Sequence, residues 1–323
     1  MKGSSRGNNF GLRTRDMSKA GRFAMNREVA NKAASFSTAA TVADRFNTFV
    51  EFAKTQGLRR LEEVNRELVI SYGEKLASQD PNNQKAIDQD KKTVSAVYAQ
   101  NLVSAVNTVM NAVSRGQWES VSPTQDCGIA QRSAVRKTPA TSIDRHRVEK
   151  AQATMTERGQ AITGLARDLG LRSKEASLIN AKSALNEARN TGKVTVIYGT
   201  KGGKAREVPV THERQIASLS RAAEAQGKGR SLVPENKTWA QFRNGELRNT
   251  RETLQAQGVK GIHDLRAAYA SDRYQALTGE RTPLEGGQAS RSDDLAARKT
   301  VAVELGHGPE RVDVIASYIG GRP

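Results

Sequence analysis

Three short islands in the last sixty-three residues, Gly261 to Pro323, hold the side chains that could do chemistry on a phosphate. In Gly261-Ile262-His263-Asp264-Leu265-Arg266 an imidazole and a guanidinium stand three residues apart. On a helix that spacing puts both on one face, where they can converge on a single anion. Leu305-Gly306-His307-Gly308-Pro309 reads as a helix C-terminus, a glycine stop and a new helix opened by proline, so His307 sits at a corner that can face a cleft. Tyr318 falls on the short helix expected over 309–319, whose apolar stripe is Val312, Ile315 and Ile319, about 60 degrees or more away. Its hydroxyl is therefore not bound to follow the stripe into the core. Taken singly, a His-x-x-Arg pair is an ordinary solvated helix face and a tyrosine an ordinary half-buried core residue. Their order and company carry the reading.

Two further islands lie upstream. Gly170-Leu171-Arg172-Ser173-Lys174-Glu175 places Arg172 near a helix start, where free backbone N–H groups and the helix dipole favour an anion. Glu175, one turn on, can hold the guanidinium. Val194-Thr195-Val196-Ile197-Tyr198 and Arg206-Glu207-Val208-Pro209-Val210 are β-rich runs around Gly199-Thr200-Lys201-Gly202-Gly203-Lys204-Ala205, a hairpin with Lys201 at its tip. The glycine spacing before Lys201 is wrong for a Walker loop and no Ser or Thr follows it, so ATP is not an expected cofactor.

These residues need scaffolding on both sides. Residues 37–115 have helical periodicity in three stripes: Val42, Phe46, Phe49, Val50 and Ala53; Leu61, Val64, Leu68 and Tyr72; and Val94, Val97, Tyr98, Leu102, Val106, Val109, Met110 and Val113. Asp80-Pro81-Asn82-Asn83 marks a turn between the last two. Residues 1–36 read as a basic flexible arm, with Lys2, Arg6, Arg13, Arg15, Lys19, Arg22 and Arg27 against Asp16 in the first 27 positions. In residues 116–142 periodicity lapses around Gly116, Pro123, Gly128 and Pro139, which marks a basic linker carrying Arg132, Arg136 and Lys137. Helical patterning resumes from Ser142 to Gly170 and recurs near His212–Gln226 and Thr238–Gln257, while 279–294 reads as loop. The fold class expected is mainly α with a small antiparallel β-sheet, a helical domain at 37–115 and an α+β domain at 143–323.

The totals agree. The 323 residues leave room for two cores, and a net charge of +17 opposes compaction unless a polyanion neutralises it, which points to nucleic acid as the partner. No apolar run reaches spanning length and no signal peptide is visible, so a cytoplasmic, nucleoid-associated protein is expected. One cysteine, Cys127, excludes an internal disulfide, and four scattered histidines show no zinc spacing. No metal is expected.

Together, Gly-Leu-Arg172-x-x-Glu175, the hairpin with Lys201, Lys204 and Arg206 before Val-Pro, His263-x-x-Arg266, Leu-Gly-His307 and Tyr318 resemble the tyrosine recombinase family, the phage integrases and their relatives. The resemblance covers about residues 143–320. More weakly, the helical part before it resembles that family's core-binding domain. It implies a catalytic set of Arg172, Lys201, His263, Arg266, His307 and Tyr318, with Glu175 in support and Tyr318 as the nucleophile. It further implies a metal- and ATP-independent site-specific recombinase or integrase of a mobile element, acting through a 3′-phosphotyrosine. The partners implied are double-stranded DNA, three more copies in a DNA-bound homotetramer, and DNA-bending accessory proteins. Arg132, Arg136, Lys137, Lys204 and Arg206 are the side chains expected on DNA phosphates. The rival readings are a type IB topoisomerase and a non-catalytic architectural DNA binder. The long interval from Arg266 to His307 reads as an insertion at the glycine pair near 286, and the five residues after Tyr318 leave little for a tail inserted into a neighbouring subunit.

Overall fold

Among the described residues, polar side chains start most of the long helices, because a Ser, Thr, Asn or Asp oxygen can accept one of the N–H groups that the first turn leaves free. The computed structural model describes residues 8–79 and 93–322. It divides into two compact units, Met1–Ser133 and Ala134–Pro323, each with its own apolar cluster.

Among the described residues the long helices of the first unit are α1 (Met17–Ala30), α2 (Phe36–Thr55), α3 (Arg66–Ala77) and α4 (Ala96–Val113). Asp16, Ser35, Asn65 and Ser95 cap them. The segment expected as a flexible arm thus contains α1. Met17, Ala20, Gly21, Ala24 and Met25 form a narrow buried stripe, and Gly21 lies so near α2 that a Cβ there would stand 2.5 Å from the Phe46 ring. Small residues let two backbones approach, and the basic residues around them masked that stripe in the sequence. Phe46, Phe49 and Tyr72 fill the centre, with the Phe49 and Tyr72 rings edge to face at 5.3 Å. Val97 and Tyr98, expected in the third stripe, are instead exposed. The turn expected at Asp80-Pro81-Asn82-Asn83 lies outside the described residues. The segment read as a linker is anchored at both ends. Val121, Cys127 and Ile129 are buried in the first unit, where Trp118 Nε1 donates to Asn107 Oδ1 at 3.0 Å, and Ala140 is buried in the second.

The second unit begins with α5 (Arg145–Gln152), α6 (Glu157–Asp168), α7 (Ser173–Leu178) and α8 (Ala181–Thr191). The helical pattern read over 142–170 holds two helices: α5 ends at Gln152, and Thr156 caps α6 by accepting from Gly159 N. The hairpin β1 (Lys193–Val196) and β2 (Arg206–Pro209) follows, antiparallel with Val194 opposite Val208 and Val196 opposite Arg206. Then come α9 (Glu213–Gln226), α10 (Trp239–Asn244) and α11 (Glu246–Ala256), the last two parted at Gly245, and α12 (Ile262–Thr278), α13 (Arg291–Glu304) and α14 (Val312–Ile319). Helix α6 packs against α9 and α12, and α12 against α13 and α14. The interval 279–294 is a loop holding a short turn at Pro283–Glu285, and α13 already begins at Arg291. The last helix starts at Val312, not at Pro309, since Gly308 to Arg311 form a turn first. This mainly helical body with one two-stranded antiparallel sheet is the fold class read from the sequence.

Candidate active site

Four elements meet around two backbone carbonyls. Arg172 caps α7 and Glu175 occupies the third position of that helix, accepting the Arg172 backbone N–H at 2.7 Å on one oxygen and Arg172 Nη1 at 2.7 Å on the other. The resulting capping box fixes both the helix start and its arginine. His263 and Arg266 lie on the first turn of α12, after Gly261. Leu305, Gly306 and His307 follow α13, and Tyr318 occupies the last turn of α14.

Three arginines share three acceptors in a closed ring. Arg266, 1% exposed, donates to the carbonyls of Gly170 and Leu305. Arg172 also donates to the Leu305 carbonyl, at 3.2 Å. Arg206 closes the circuit: Nη2 meets Glu175 Oε2 at 2.8 Å and the Gly170 carbonyl at 3.5 Å, Nη1 pairs with Glu175 Oε1 at 2.7 Å, and Nε donates to the Glu304 carbonyl at 2.8 Å. Gly306 makes this approach possible. Its φ is +72°, and a Cβ there would stand 2.8 Å from Arg206 Cδ and 3.4 Å from Arg172 Nη1. Glu175 is the one carboxylate bonded to this ring, so three cations face one anion. Burial pushes the Glu175 carboxyl up, but Arg206 and Arg172 more than reverse that and hold it below the ordinary carboxylate range.

The remaining residues close over this positive floor. Tyr318 is 4% exposed, and its hydroxyl accepts from Arg266 Nε at 3.1 Å. Its ring stands 5.3 Å from that of His263 and 6.2 Å from that of His307. Tyr318 is buried together with Ile315 and Ile319, yet its oxygen leaves the hydrocarbon for the guanidinium. Desolvation, then Arg266 and Arg172, lowers the His307 pKa to about 4, and its Nε2 is buried with no hydrogen-bond partner. Desolvation followed by Arg266, Arg136 and Arg172 lowers that of His263 too, although the residue is exposed. Both imidazoles are therefore neutral at pH 7. Arg266 is lowered to about 10, chiefly by burial, and stays cationic. An orphaned donor or acceptor beside surplus positive charge is an arrangement that an anion completes.

The structure thus gathers Arg172, Glu175, His263, Arg266, His307 and Tyr318. It does not bring in Lys201, which stands exposed on a short turn at the hairpin tip without a hydrogen bond or ion pair to these six. Two residues expected on DNA phosphates are instead engaged with protein. Arg206 is buried in the ring, because strand alternation puts it on the inward side with Val208 while Glu207 points out. Arg136 pairs with Asp264. Arg132, Lys137 and Lys204 are exposed. Behind the site, Arg273 and the Tyr269 hydroxyl hold the Glu304 carboxylate, bracing α12 to α13. Among the described residues no cluster of His, Cys, Asp and Glu could hold a metal ion, and no helix is long and apolar enough to cross a membrane.

This fold is similar to that of solved integrase and recombinase structures. Residues 130–272 match the family model described as Integrase. A lambda integrase (75–356) dimer bound to a COC′ core site is similar over 94% of this chain and 95% of its own, at 15% identity and a TM-score of 0.58. XerH site-specific recombinase bound to difH substrate, in a pre-cleavage complex, is similar over 94% and 82% at 14% identity and a TM-score of 0.55. A lambda integrase tetramer bound to a Holliday junction is similar over 90% and 76%, at 15% identity and a TM-score of 0.51. No curated protein matches the chain. The Integrase model spans residues 130–272, and the solved integrase and recombinase structures share this chain's fold.

Proposed function

We propose that the protein is a site-specific DNA recombinase that cleaves and rejoins strands through a 3′-phosphotyrosine, with Tyr318 as the nucleophile. One observation carries the reading: the phenol of Tyr318 rests on Arg266 beside a three-arginine ring with an uncompensated positive charge. A phosphodiester is anionic and its pentacoordinate transition state more so, and fixed cations in a sheltered site stabilise that added charge without reorganising. Arg172 and Arg266 hold the non-bridging oxygens, and His307 offers its free Nε2 to the same group. Tyr318 Oη attacks phosphorus as the bond to the 5′-oxygen breaks. Neutral His263 takes up the tyrosine proton, and Lys201, carried in on the hairpin, gives one to the leaving oxygen. The phosphotyrosine keeps the bond energy, so a second 5′-hydroxyl can reverse the step on another strand. ATP is not required.

Net charge supports DNA as the substrate, and the likeness to a tetramer on a Holliday junction supports four copies acting together. Exchange between DNA sites suits integration and excision of a mobile element. The test is a nicked suicide substrate whose cleaved strand diffuses away. Wild-type protein is expected to leave an SDS-resistant 3′ adduct and Tyr318→Phe none. An adduct in the Phe variant removes Tyr318 from the mechanism, and rapid relaxation of site-free supercoiled DNA would replace recombination with a topoisomerase reaction.

A further inference from the structure

Arg136 precedes the first helix of the second unit in a stretch without regular structure, yet its side chain is only 14% exposed. Its backbone N–H donates at 2.8 Å to the carbonyl of Ala316, two residues before Tyr318 on α14. The guanidinium pairs with Asp264, which lies between His263 and Arg266 on α12, and donates to the carbonyls of Thr138 at 2.7 Å and Pro139 at 3.4 Å. Asp264 is itself tied down: Thr141 Oγ1 donates to its Oδ2 at 2.6 Å and the Ser142 N–H to the same oxygen at 3.0 Å. A single residue therefore grips the tyrosine helix through its main chain and the histidine-arginine helix through its side chain.

We propose that Arg136 is a positioning residue for strand cleavage, a brace that sets Tyr318 against His263 and Arg266, and not a contact to DNA. The inference rests on the phosphotyrosine reading above. Helix α14 has eight residues, too few to hold itself in place, so its ties decide where the phenol stands. An ångström of misplacement is enough to slow an in-line attack about 100-fold.

Two measurements on the full chain test the brace. Hydrogen exchange of the DNA-free protein is expected to rise over residues 312–322 in Arg136→Ala, which keeps the backbone N–H but loses the Asp264 anchor that holds its segment in place, and to stay near wild type in Arg136→Lys, which keeps a cation for Asp264. Unchanged exchange in Arg136→Ala overturns the proposal even if the wild type forms no adduct, so its failure is distinct from failure of the phosphotyrosine reading. At saturating DNA, Arg136→Ala and Asp264→Asn are each expected to slow adduct formation by about 10- to 100-fold, with the double variant no slower than either single one. A phosphate contact would instead lower the salt slope of binding by about one and leave the rate at saturation intact, which also overturns the brace. The pH profile adds a readout that loose packing does not give. The groups facing His263 are Arg266 and Asp264 on its own helix, Arg136, Arg172 at the cap of α7, and Tyr318 on α14. Removing the Arg136 charge moves the acidic limb of the rate to higher pH, while Arg136→Lys leaves it in place.

Discussion

At the scale of single residues, sign of charge was legible in the sequence and direction was not. Arg206 and Lys204 stand two apart in the same basic hairpin, yet Lys204 is exposed and Arg206 is locked between Glu175 and the Glu304 carbonyl. The period of two in β2 held the answer, since Val208 had to point inward and Arg206 shares its side. Arg136 offered no such signal, because the stretch around it has no repeat. His263, Arg266, His307 and Tyr318 were legible because their motifs fall at helix starts and ends, where backbone direction constrains side chains. His307 yields a pH prediction. Its pKa near 4 leaves it neutral in the free protein, and a phosphate placed against Nε2 favours the protonated ring. The sign follows: DNA binding near pH 6 draws protons from solvent. Calorimetry in buffers of different ionisation enthalpy should show that uptake in the wild type and a smaller one in His307→Gln. Equal uptake in both would remove His307 from the phosphate. The same shift weakens the free protein in acid, because a histidine depressed from about 6.5 to about 4 costs stability as pH falls through that window.

At the scale of elements, caps and glycine stops fixed the helices more than their apolar stripes did. Gly245 parts α10 from α11, and Thr156 starts α6 after α5 has already ended at Gln152, inside stretches whose sequence reads as helical throughout. The stripe of α1 is made of alanine, glycine and methionine inside a basic stretch, so its hydropathy was too weak to set it apart from a solvated tail. The glycine stop after α13 was legible, but its tightness comes from side chains distant in sequence. Gly306→Ala forces an L-residue to φ +72° and drives its Cβ toward Arg206 and Arg172. The left-handed conformation alone costs about 1–2 kcal/mol. Urea denaturation should report a loss at least that large, and adduct formation should slow beyond what the stability loss explains, since the arginine ring has to open. A variant with full stability and full rate would show that the approach of Gly306 to the two arginines is dispensable.

At the scale of the molecule, the two units share no core residue: one apolar cluster runs from Met17 to Ile129, the other from Ala140 to Ile319. A unit with its own closed core is expected to unfold cooperatively alone. The segment 134–323 holds all six residues proposed for the chemistry and keeps Arg136, the residue tied to the helix of Tyr318 and to that of His263 and Arg266. Expressed by itself, it should show one urea transition and retain adduct formation on a suicide substrate at high DNA concentration. What it lacks is the first unit with its exposed basic residues, Arg59 and Arg60 among them. If those meet phosphates, each lost contact lowers the salt slope by about 0.9, and the truncated protein should bind more weakly with a shallower slope at equal cleavage rate when saturated. Retained affinity and slope would confine DNA contact to the second unit. A broad, non-cooperative transition would mean instead that the second core needs the first to fold, and that the two units act as one domain.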